Sequence, residues 1–177
     1  EHPVTECVTG VDLVAWQLRI AEGARLPDTA VPDFTGHAIE VRLYAEDPAE
    51  GWLPTSGPLH EFEIPGTDAQ FAIPAGYGLR VDGGFGAGDV IGVHYDAMLA
   101  KVIAWAPTRA EAARRLAGAL AASRLHGIVT NRDLLVRVLR HPEFLAGNID
   151  TGFFDRHDLA ALARPLADEH GTRLSVL

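Results

Sequence analysis

The first helix of the chain is predicted from apolar residues that recur at three- and four-residue spacing, the pattern of one helix face. The pattern begins at Val8, and its stripe consists of Val11, Val14, Leu18 and Ala21. Gly23 stands where the helix is expected to end. Residues 25–36 hold two prolines and two aspartates, so they are predicted to form an irregular connector.

A period of two replaces the helical spacing over residues 36–45, which predicts a strand. One face of this strand is mostly apolar, and the other carries Glu40, Arg42 and Tyr44. Further apolar runs, separated by glycine and proline, predict antiparallel hairpins in a small curled sheet; they are Leu59–Ile64, Gln70–Ile73, Leu79–Val81, Val90–Val93 and Met98–Trp105. The glycine-rich run over residues 83–88 is the expected turn between two of these strands.

The last third of the chain is predicted to be helical. Thr108 and Glu111 have the spacing of a capping box, which begins a helix that runs to about residue 123. Asn131 is expected to cap a second helix that ends near residue 140, and a short helix follows from Pro142 to Gly147. From residue 155 onward, a peripheral helix and a frayed tail are expected. This order predicts an α+β fold, with a small curled antiparallel sheet and flanking helices.

The composition narrows the class of protein. Of the 177 residues, 47% are apolar and 22% are charged, as in an ordinary globular domain. The single cysteine excludes a disulfide framework, and no apolar run is long enough to cross a membrane. The chain is therefore expected to be soluble and to work in the reducing cytoplasm.

The net charge of −9 is unevenly distributed along the sequence. Residues 1–100 carry −12, whereas residues 101–177 carry +3. Neither part has a basic stripe, so nucleic acid is not expected as a partner. The acidity also argues against a self-sufficient site for a polyphosphate such as ATP.

Glycine, histidine and cysteine patterns do not define a site in this sequence. The glycines over residues 76–88 lack the lysine of a phosphate loop and the third glycine of a dinucleotide motif, which favours a turn. The eight histidines form no ligand pair, so no metal site is expected from this chain alone. Cys7 is interpreted as a small buried helix residue, because no cationic partner for a reactive thiolate is evident near it.

Arg42 is a candidate for a functional side chain. The acidic run Glu46-Asp47-Pro48 follows it closely in the sequence. In one interpretation these carboxylates hold Arg42 in an ion pair at a turn that ends the strand. In the other, Arg42 presents its planar guanidinium to an anionic substrate or a developing oxyanion. Composition and spacing leave both interpretations open.

Several runs, taken together and in order, resemble the biotin carboxylase family. They are EHPVTE at 1–6, TGVDL at 9–13, QLRIA at 17–21, GHAIEVRLYAEDP at 36–48, LPTSG at 53–57, YDAMLAK at 95–101, GIVTN at 127–131 and DTGF at 150–153. The resemblance implies a fold of the biotin carboxylase C-terminal domain type for residues 36–155. It also implies that residues 1–35, with the amino-terminal helix, are the end of an ATP-grasp region and a linker. Residues 156–177 would form a peripheral helix and tail.

The resemblance also implies a chemistry, in which ATP and bicarbonate give carboxyphosphate and the released CO2 is attacked by N1 of biotin. Glu1 matches the general base that deprotonates bicarbonate. Arg42 matches the arginine that binds bicarbonate and stabilises the biotin anion. Ile128 matches an apolar contact to the adenine ring. Arg80 and Asp96 fall in the region that the family uses for its homodimer contact.

Cofactors and partners are implied by the same resemblance. The expected cofactor is ATP with Mg²⁺ or Mn²⁺, held mostly by parts of the family's enzymes that precede the position of Glu1, and biotin is expected on a carrier. The expected partners are the ATP-grasp and amino-terminal domains, a biotin carboxyl carrier domain, a carboxyltransferase subunit and a second copy in a homodimer. By itself, the chain is expected to be inactive.

Two other functions stay open at this point. The chain could be a non-catalytic module for dimer contact and scaffolding, or part of another ATP-grasp ligase such as carbamoyl-phosphate synthase. The Glu46-Asp47-Pro48 run, followed by Leu53-Pro54, favours biotin carboxylase over the second of these. Acetyl-, propionyl- and methylcrotonyl-CoA all remain open as the final acceptor of the carboxyl group.

Overall fold

Strands and short helices make up the part of the chain that the computed structural model describes, residues 2–26 and 32–167. The strands are β1 (His37–Tyr44), β2 (Glu46–Asp47), β3 (Leu53–Pro54), β4 (Gly57–Pro58), β5 (Glu61–Glu63), β6 (Ala69–Gln70), β7 (Leu79–Gly83), β8 (Val90–Ile91), β9 (Met98–Ala106) and β10 (Arg124–His126). The helices are α1 (Pro3–Thr9), α2 (Leu13–Ala21), α3 (Arg109–Ala122), α4 (Arg132–Arg140), α5 (Pro142–Ala146), α6 (Phe153–Arg156) and α7 (Leu159–Ala163), with a 3₁₀ turn over Pro48–Glu50. This mixture of helices and small sheets agrees with the predicted fold class.

A four-stranded sheet in the order β1-β9-β7-β6 forms the centre of the fold. β1, β9 and β7 are antiparallel, with Val102 of β9 opposite both Val41 and Val81. β6 pairs with β7 in parallel, so the prediction of an entirely antiparallel sheet is wrong at this edge. A side chain extends this short pairing, because the N–H of Phe71 donates to Oδ1 of Asp82 at 2.8 Å. The other strands pair in twos: β2 with β3, β4 with β8 and β5 with β10.

The four-stranded sheet has two chemically different faces, because side chains alternate across each strand. The apolar face packs on α3 and consists of Ile39, Val41, Leu43, Leu79, Val81, Ala100, Val102 and Ala104, each at most 9% exposed. The residues of α3 that are buried with them are Ala112, Ala113, Leu116, Ala117 and Leu120. This layer is the core, in which a fully buried leucine contributes about 1.5–3 kcal/mol.

The helices of the last third have local start and stop signals, and their bounds agree with the predictions. The N–H of Glu111 donates to Oγ1 of Thr108 at 3.2 Å, and the Thr108 hydroxyl lies 3.0 Å from Oε2 of Glu111. α5 ends at Gly147, whose φ of +78° is left-handed. Farther on, two short helices, α6 and α7, replace the single predicted peripheral helix.

The amino-terminal segment forms two helices, whereas the apolar spacing predicts one. The break lies at Gly10, whose φ of +72° ends α1. Asp12 then begins α2, because its side chain accepts a backbone N–H at 2.8 Å. Val11 continues the apolar spacing across the break, which is why periodicity alone does not detect it. The stripe on α2 is largely exposed, at 52% for Val14 and 63% for Leu18.

The glycine-rich run over residues 83–88 is not a hairpin turn, contrary to the prediction. It leads from β7 to β8, but β8 pairs with β4. Two backbone hydrogen bonds hold the end of the run beside Leu59: the N–H of Gly88 donates to the Leu59 carbonyl at 2.7 Å, and the N–H of Leu59 donates to the Asp89 carbonyl at 2.8 Å. The glycine content indicates a turn correctly, but it does not say which strands meet.

The carboxyl-terminal helices pack beside α3, and α4 also contacts β1. α4 contacts α3, and α7 contacts both α4 and the turn over Pro48–Glu50. The predicted frayed tail falls largely on residues 168–177, which lie outside the described residues. Among the described helices, none combines the length and the apolar character needed to cross a membrane.

Candidate active site on the polar face of the sheet

The second face of the sheet carries charge instead of a hydrophobic core. This polar face consists of Glu40 and Arg42 on β1, Arg80 and Asp82 on β7, and Lys101 on β9, around the buried Ile103. Lys101 lies opposite Arg42 on one side and opposite Asp82 on the other, so these three charges form a row across three strands. α1 lies on this face and contacts β1 and β9.

The guanidinium of Arg42 is accessible, with 59% of the side chain exposed. Its Nε lies 3.7 Å from Oε1 of Glu40, and within the described residues no other carboxylate lies within 4 Å. The interpretation in which Glu46 and Asp47 hold Arg42 is therefore wrong for the described part of the chain. Asp47 instead accepts the N–H of Ala49 at 2.9 Å and begins the 3₁₀ turn. The planar fork of Arg42 is left available to an anion.

The backbone at Arg42 is fixed by Asn131, which is 5% exposed. Nδ2 of Asn131 donates to the Arg42 carbonyl at 3.1 Å, and its Oδ1 accepts the N–H of Tyr44 at 3.0 Å. The backbone N–H of Asn131 donates to the Tyr44 carbonyl at 3.1 Å. Asn131 occupies the N-cap position of α4, as predicted, but its side chain makes no capping hydrogen bond because it pairs with β1 instead.

Lys101 places a second positive charge next to Arg42. The residue is half-buried, and no carboxylate of the described segments lies within 4 Å of its ammonium group. Its other neighbour, Asp82, is bound to Arg80 at 2.8 Å. Like charges directly opposite each other in a β ladder destabilise the pair. An anion that contacts both groups would relieve this repulsion, so the Arg42–Lys101 pair itself favours an anionic ligand.

Arg80 is the centre of a buried cluster of charges. Its Nη1 lies 2.7 Å from Oε2 of Glu6 on α1, and its Nη2 lies 2.8 Å from Oδ2 of Asp82. Burial lowers the pKa of Arg80, but the hydrogen bonds to Asp82 and Glu6 outweigh this effect, so the pKa is raised. Arg80 is therefore always charged, and it is satisfied within the chain.

Cys7 lies beside this cluster and is 1% exposed. Burial raises the pKa of its thiol above the ordinary value of 9.0, and the nearby Arg80 offsets only part of this increase. The thiol is therefore protonated and inaccessible, as expected for a structural cysteine. The sequence prediction of a buried helix residue is confirmed, although a cation that the sequence does not reveal stands next to it.

An open cleft of about 560 Å³ lies between α2 and the polar face. Lys101, Arg80 and Asp82 line it from the sheet, and Val14 and Leu18 line it from α2. Arg42 lies on the strand next to Lys101. The cleft therefore reaches the row of charges that includes Arg42.

Ile128 lies in the loop after β10 and is half-buried against the core. The preceding Gly127 has a φ of +116°, and a Cβ at this position would stand 2.0 Å from the Pro58 carbonyl oxygen. The loop is also held by the Thr55 hydroxyl, which donates to the Val129 carbonyl at 2.7 Å. Asn131 lies at the end of the same loop. Its hydrogen bonds to the backbone of Arg42 and Tyr44 therefore attach this loop to β1.

Asp96 is exposed and lies in the turn before β9, where its Oδ1 accepts the N–H of Met98 at 2.8 Å. Burial and the nearby charge of Asp96 raise the pKa of Glu46 above its ordinary value of 4.5. Arg80, by contrast, is only 5% exposed. The homodimer contact expected at Arg80 and Asp96 stays a prediction, and the exposed Asp96 is the more accessible of the two.

Glu1, the expected general base, lies outside the described residues. Within the described ranges, no three histidine, cysteine or acidic side chains form a group that could hold a metal ion. Lys101, Asn131 and Glu6 are the members of the polar-face arrangement that sequence reasoning missed. Alternation along β1 and β9 indicates the face of each strand, but only the register brings Lys101 next to Arg42.

Two family models match parts of this chain. The model for the biotin carboxylase C-terminal domain matches residues 40–156. The model for the ATP binding domain of the carbamoyl-phosphate synthase L chain matches residues 1–29.

Two curated relatives are carboxylase proteins. The chain is 43% identical over 159 residues to the mitochondrial methylcrotonoyl-CoA carboxylase subunit alpha of Mus musculus, a match that covers 89% of the chain and 21% of the relative. It is 44% identical over 159 residues to the biotin carboxylase of Halalkalibacterium halodurans, covering 89% of the chain and 33% of the relative. The chain therefore spans about a fifth to a third of the length of these relatives.

Solved structures with the same fold include the biotin carboxylase domain dimer of 2-oxoglutarate carboxylase from Hydrogenobacter thermophilus, in complex with MgADP, ADP and bicarbonate. The TM-score is 0.83 at 35% identity, over 94% of this chain and 35% of that chain. The pyruvate carboxylase of Rhizobium etli gives a TM-score of 0.81 at 33% identity, over 99% of this chain and 17% of that chain. The chain belongs to the biotin carboxylase C-terminal domain family.

Proposed function

We propose that this chain forms part of the active site of an ATP-dependent biotin carboxylase, a ligase that carboxylates biotin with bicarbonate. The observation that carries the proposal is Arg42, whose guanidinium is exposed beside Lys101 while its backbone is fixed by Asn131. A guanidinium does not lose its proton in proteins, so it is a permanent counter-charge for an anion. Arg42 would bind bicarbonate and stabilise the anionic form of biotin as charge develops on its ureido oxygen.

We further propose that Glu1 accepts the proton of bicarbonate. A carboxylate suits this role when it lies within hydrogen-bond reach of bicarbonate and its pKa is raised toward neutrality. The support for this role is the EHPVTE run that begins with Glu1, because the residue lies outside the described part of the chain.

ATP with Mg²⁺ is proposed as the cofactor, and it would supply the phosphoryl group that activates bicarbonate. Ile128 is proposed to contact the adenine ring, in keeping with its place in a loop that is hydrogen-bonded to Thr55 and, through Asn131, to β1. The metal is proposed to be held by other parts of the protein, as the family resemblance implies. A solved relative that holds MgADP and bicarbonate supports this choice of ligands.

We propose three regions in this chain: the end of an ATP-grasp domain over residues 1–35, the carboxyl-terminal domain over 36–155, and a peripheral segment over 156–177. The match of residues 1–29 to an ATP binding domain supports the first region. The exposed apolar side chains of α2 support it too, because such a face is typical of a helix that packs against further protein.

The proposed partners are a second copy of the chain, a biotin carboxyl carrier domain and a carboxyltransferase subunit. A solved relative is a dimer of biotin carboxylase domains, which supports the first of these. Relatives named for methylcrotonoyl-CoA and for 2-oxoglutarate carboxylation leave the final acceptor open. The cytoplasmic location stays a prediction, because some relatives are named as mitochondrial proteins.

The test is the substitution Arg42→Ala in the full-length gene product that contains these residues. We expect biotin-dependent ATP hydrolysis in the presence of bicarbonate to fall about 10²–10³-fold in kcat, the usual effect of removing one oxyanion-stabilising donor. The thermal unfolding midpoint should stay unchanged, because the side chain is exposed.

Arg156→Ala is the matched control, since Arg156 is also exposed and lies 2.8 Å from a carboxylate oxygen of Asp150. A rate for Arg42→Ala equal to that of the control would contradict the catalytic assignment. Loss of the dimer without a specific loss of kcat would instead support the scaffold function.

A further inference from the structure

Lys101 is the only lysine of the chain, in which arginine accounts for the other 14 residues of these two types. The two side chains are not interchangeable. A lysine concentrates its charge on a small ammonium group with three rotatable donors, whereas an arginine spreads its charge over a planar fork. One lysine in a chain that otherwise uses arginine therefore indicates a contact that needs a compact charge.

The register of β1 and β9 places Lys101 directly beside Arg42. The carbonyl of Arg42 points away from β9, since it accepts a hydrogen bond from Nδ2 of Asn131 at 3.1 Å. On β9, Trp105 is in step with Lys101, and its N–H and carbonyl both bond to Gly78 on the side of β7. Arg42 and Lys101 therefore form a non-hydrogen-bonded pair, in which the Cα atoms are typically about 4.5 Å apart and the side chains are at their closest.

No carboxylate in the described segments lies within 4 Å of the Lys101 ammonium group. Its neighbour on β7 is Asp82, but both oxygens of Asp82 already have donors. Nε of Arg80 donates to both of them, at 2.9 and 3.0 Å, and the N–H of Phe71 donates to Oδ1 at 2.8 Å. Lys101 also lines the open cleft of about 560 Å³ between α2 and the polar face, so a small ligand can reach its donors.

The two cations have complementary shapes for one small oxyanion. The fork of Arg42 can contact two oxygens in its plane, and the ammonium group of Lys101 can contact a third. Bicarbonate has three oxygens. A second arginine in place of Lys101 would add a second fork, and two forks need four oxygens. A lysine beside Arg42 therefore suits a ligand as small as bicarbonate.

We propose that Lys101 is a second anion-binding residue at the site of Arg42, and that the two cations hold one small oxyanion of the bicarbonate type between them. Only the identity of the anion rests on the proposed function, because the placement of Lys101 follows from β1, β7 and β9. The alternative role for Lys101 is that of a counter-charge to the buried Arg80 group, in which two carboxylates, Glu6 and Asp82, surround one guanidinium. The two roles differ in whether an anion contacts Lys101.

Chemical labelling of the full-length gene product measures this contact without turnover. An arginine-specific protease releases residues 81–109, in which Lys101 is the only side chain with an amine. The probe is sodium bicarbonate, compared with sodium chloride at the same pH and ionic strength. Acetylation of Lys101 by an N-hydroxysuccinimide ester, read by mass spectrometry, should slow at least about two-fold once bicarbonate exceeds its dissociation constant, since more than half of the sites are then occupied. Arg42→Ala should abolish this protection, and Arg156→Ala should retain it.

Biotin-dependent ATP hydrolysis by the full-length gene product tests the same contact in turnover. Lys101→Met should raise the KM for bicarbonate about ten-fold or more, as expected for the loss of one hydrogen bond from a charged group. The kcat and the KM for ATP should change by no more than about two-fold, because a contact made equally in the ground state and the transition state affects only the KM of its own ligand. Lys101→Arg should recover only part of the KM for bicarbonate, and Arg156→Met is the matched surface control.

Equal labelling rates in bicarbonate and in chloride would overturn the inference, and this result does not require any variant to fold. A KM for bicarbonate that Lys101→Met leaves unchanged would also overturn it. If Lys101→Met lowered the thermal unfolding midpoint without either anion effect, Lys101 would be the counter-charge of the Arg80 group. Protection that depends on Arg42, together with parental turnover in Arg42→Ala, would reject the proposed function and leave the anion site in place.

Discussion

Arg42 combines a fixed backbone with a free side chain. Two side-chain hydrogen bonds from Asn131 hold the strand at Arg42 and Tyr44, while the guanidinium stays 59% exposed. A catalytic cation benefits from this combination, because a ligand does not have to order the backbone before it binds. The nearby Glu40 restrains the guanidinium at 3.7 Å, a distance too long to occupy its hydrogen-bonding fork.

Glu46 is a residue whose protonation should influence folding. Because its pKa is raised by burial and by Asp96, the folded state binds this proton more tightly than the unfolded state does. Its contribution to stability is therefore present below the ordinary pKa of 4.5 and is lost as the pH rises through the raised value. Glu46→Gln should stabilise the chain at pH 7, by no more than about 1 kcal/mol because solvent screens the charge, and should have little effect at pH 4.

Urea denaturation at the two pH values measures this difference. Glu50→Gln is a suitable control, because Glu50 is exposed in the adjacent turn and its substitution should change the free energy of unfolding by less than about 0.5 kcal/mol. If Glu46→Gln destabilised the protein more at pH 7 than at pH 4, the direction of the pKa shift would be wrong.

Single residues could be predicted from the sequence only where local chemistry determines them. The face of Arg42 follows from strand alternation, and the burial of Cys7 follows from its residue type. The neighbours of both residues depend on tertiary structure. Lys101 meets Arg42 through the register of β1 and β9, and Arg80 meets Cys7 through the docking of α1, and neither is encoded in local spacing.

At the scale of elements, the loop between β10 and α4 passes close to Pro58 at Gly127. Gly127→Ala should destabilise the chain by more than about 3 kcal/mol, because φ is +116° and the new Cβ would meet the Pro58 carbonyl oxygen. Gly118→Ala is the matched control, since Gly118 lies in α3 with open space around it, and it should stabilise the chain by about 0.5–1 kcal/mol.

Chemical denaturation of both glycine variants measures the two changes. Similar free energies of unfolding for the two variants would show that the loop can move away from Pro58. In that case Ile128 would not be held in the position that the proposed adenine contact requires.

Elements with their own end signals were predictable, and long-range pairings were not. α3, α4 and α5 begin and end near residues such as Thr108, Pro142 and Gly147, whose conformations are local. The pairing of β4 with β8 depends on segments far apart in the sequence. β6 and β7 are close in sequence, but their parallel pairing does not follow from the alternation of either strand. The break between α1 and α2 is intermediate: Gly10 and Asp12 signal it, but the apolar spacing hides it.

For the whole molecule, the exposed face of α2 predicts how the 177-residue chain behaves in isolation. Leu18→Gln should change the free energy of unfolding by less than about 0.5 kcal/mol, because the side chain is 63% exposed. The same change should reduce the binding of a hydrophobic dye. Leu116→Ala, at 0% exposure in the core, should cost about 2–5 kcal/mol and serves as the comparison.

Urea denaturation and dye fluorescence measure these two properties of the isolated chain. A loss of more than about 1.5 kcal/mol for Leu18→Gln would indicate that α2 is buried in solution, by association or by rearrangement. Dye binding that Leu18→Gln leaves unchanged would place the exposed apolar surface elsewhere on the molecule.

β1 is an edge strand of the four-stranded sheet, and this position has a consequence for solubility. Unpaired backbone groups on an edge invite a strand from another molecule to add to the sheet. Asn131 forms hydrogen bonds with the Arg42 carbonyl and with the N–H and carbonyl of Tyr44. A residue of an additional strand would pair with these backbone groups in much the same way.

Asn131→Ala should therefore do more than weaken the fold by about 1–3 kcal/mol for the unsatisfied groups. At partly denaturing urea concentrations, the variant should aggregate faster in light scattering than an equally destabilised Leu116→Ala. Equal aggregation rates would contradict this expectation. The residue that holds the proposed catalytic strand in place would thus also protect that strand from neighbouring molecules.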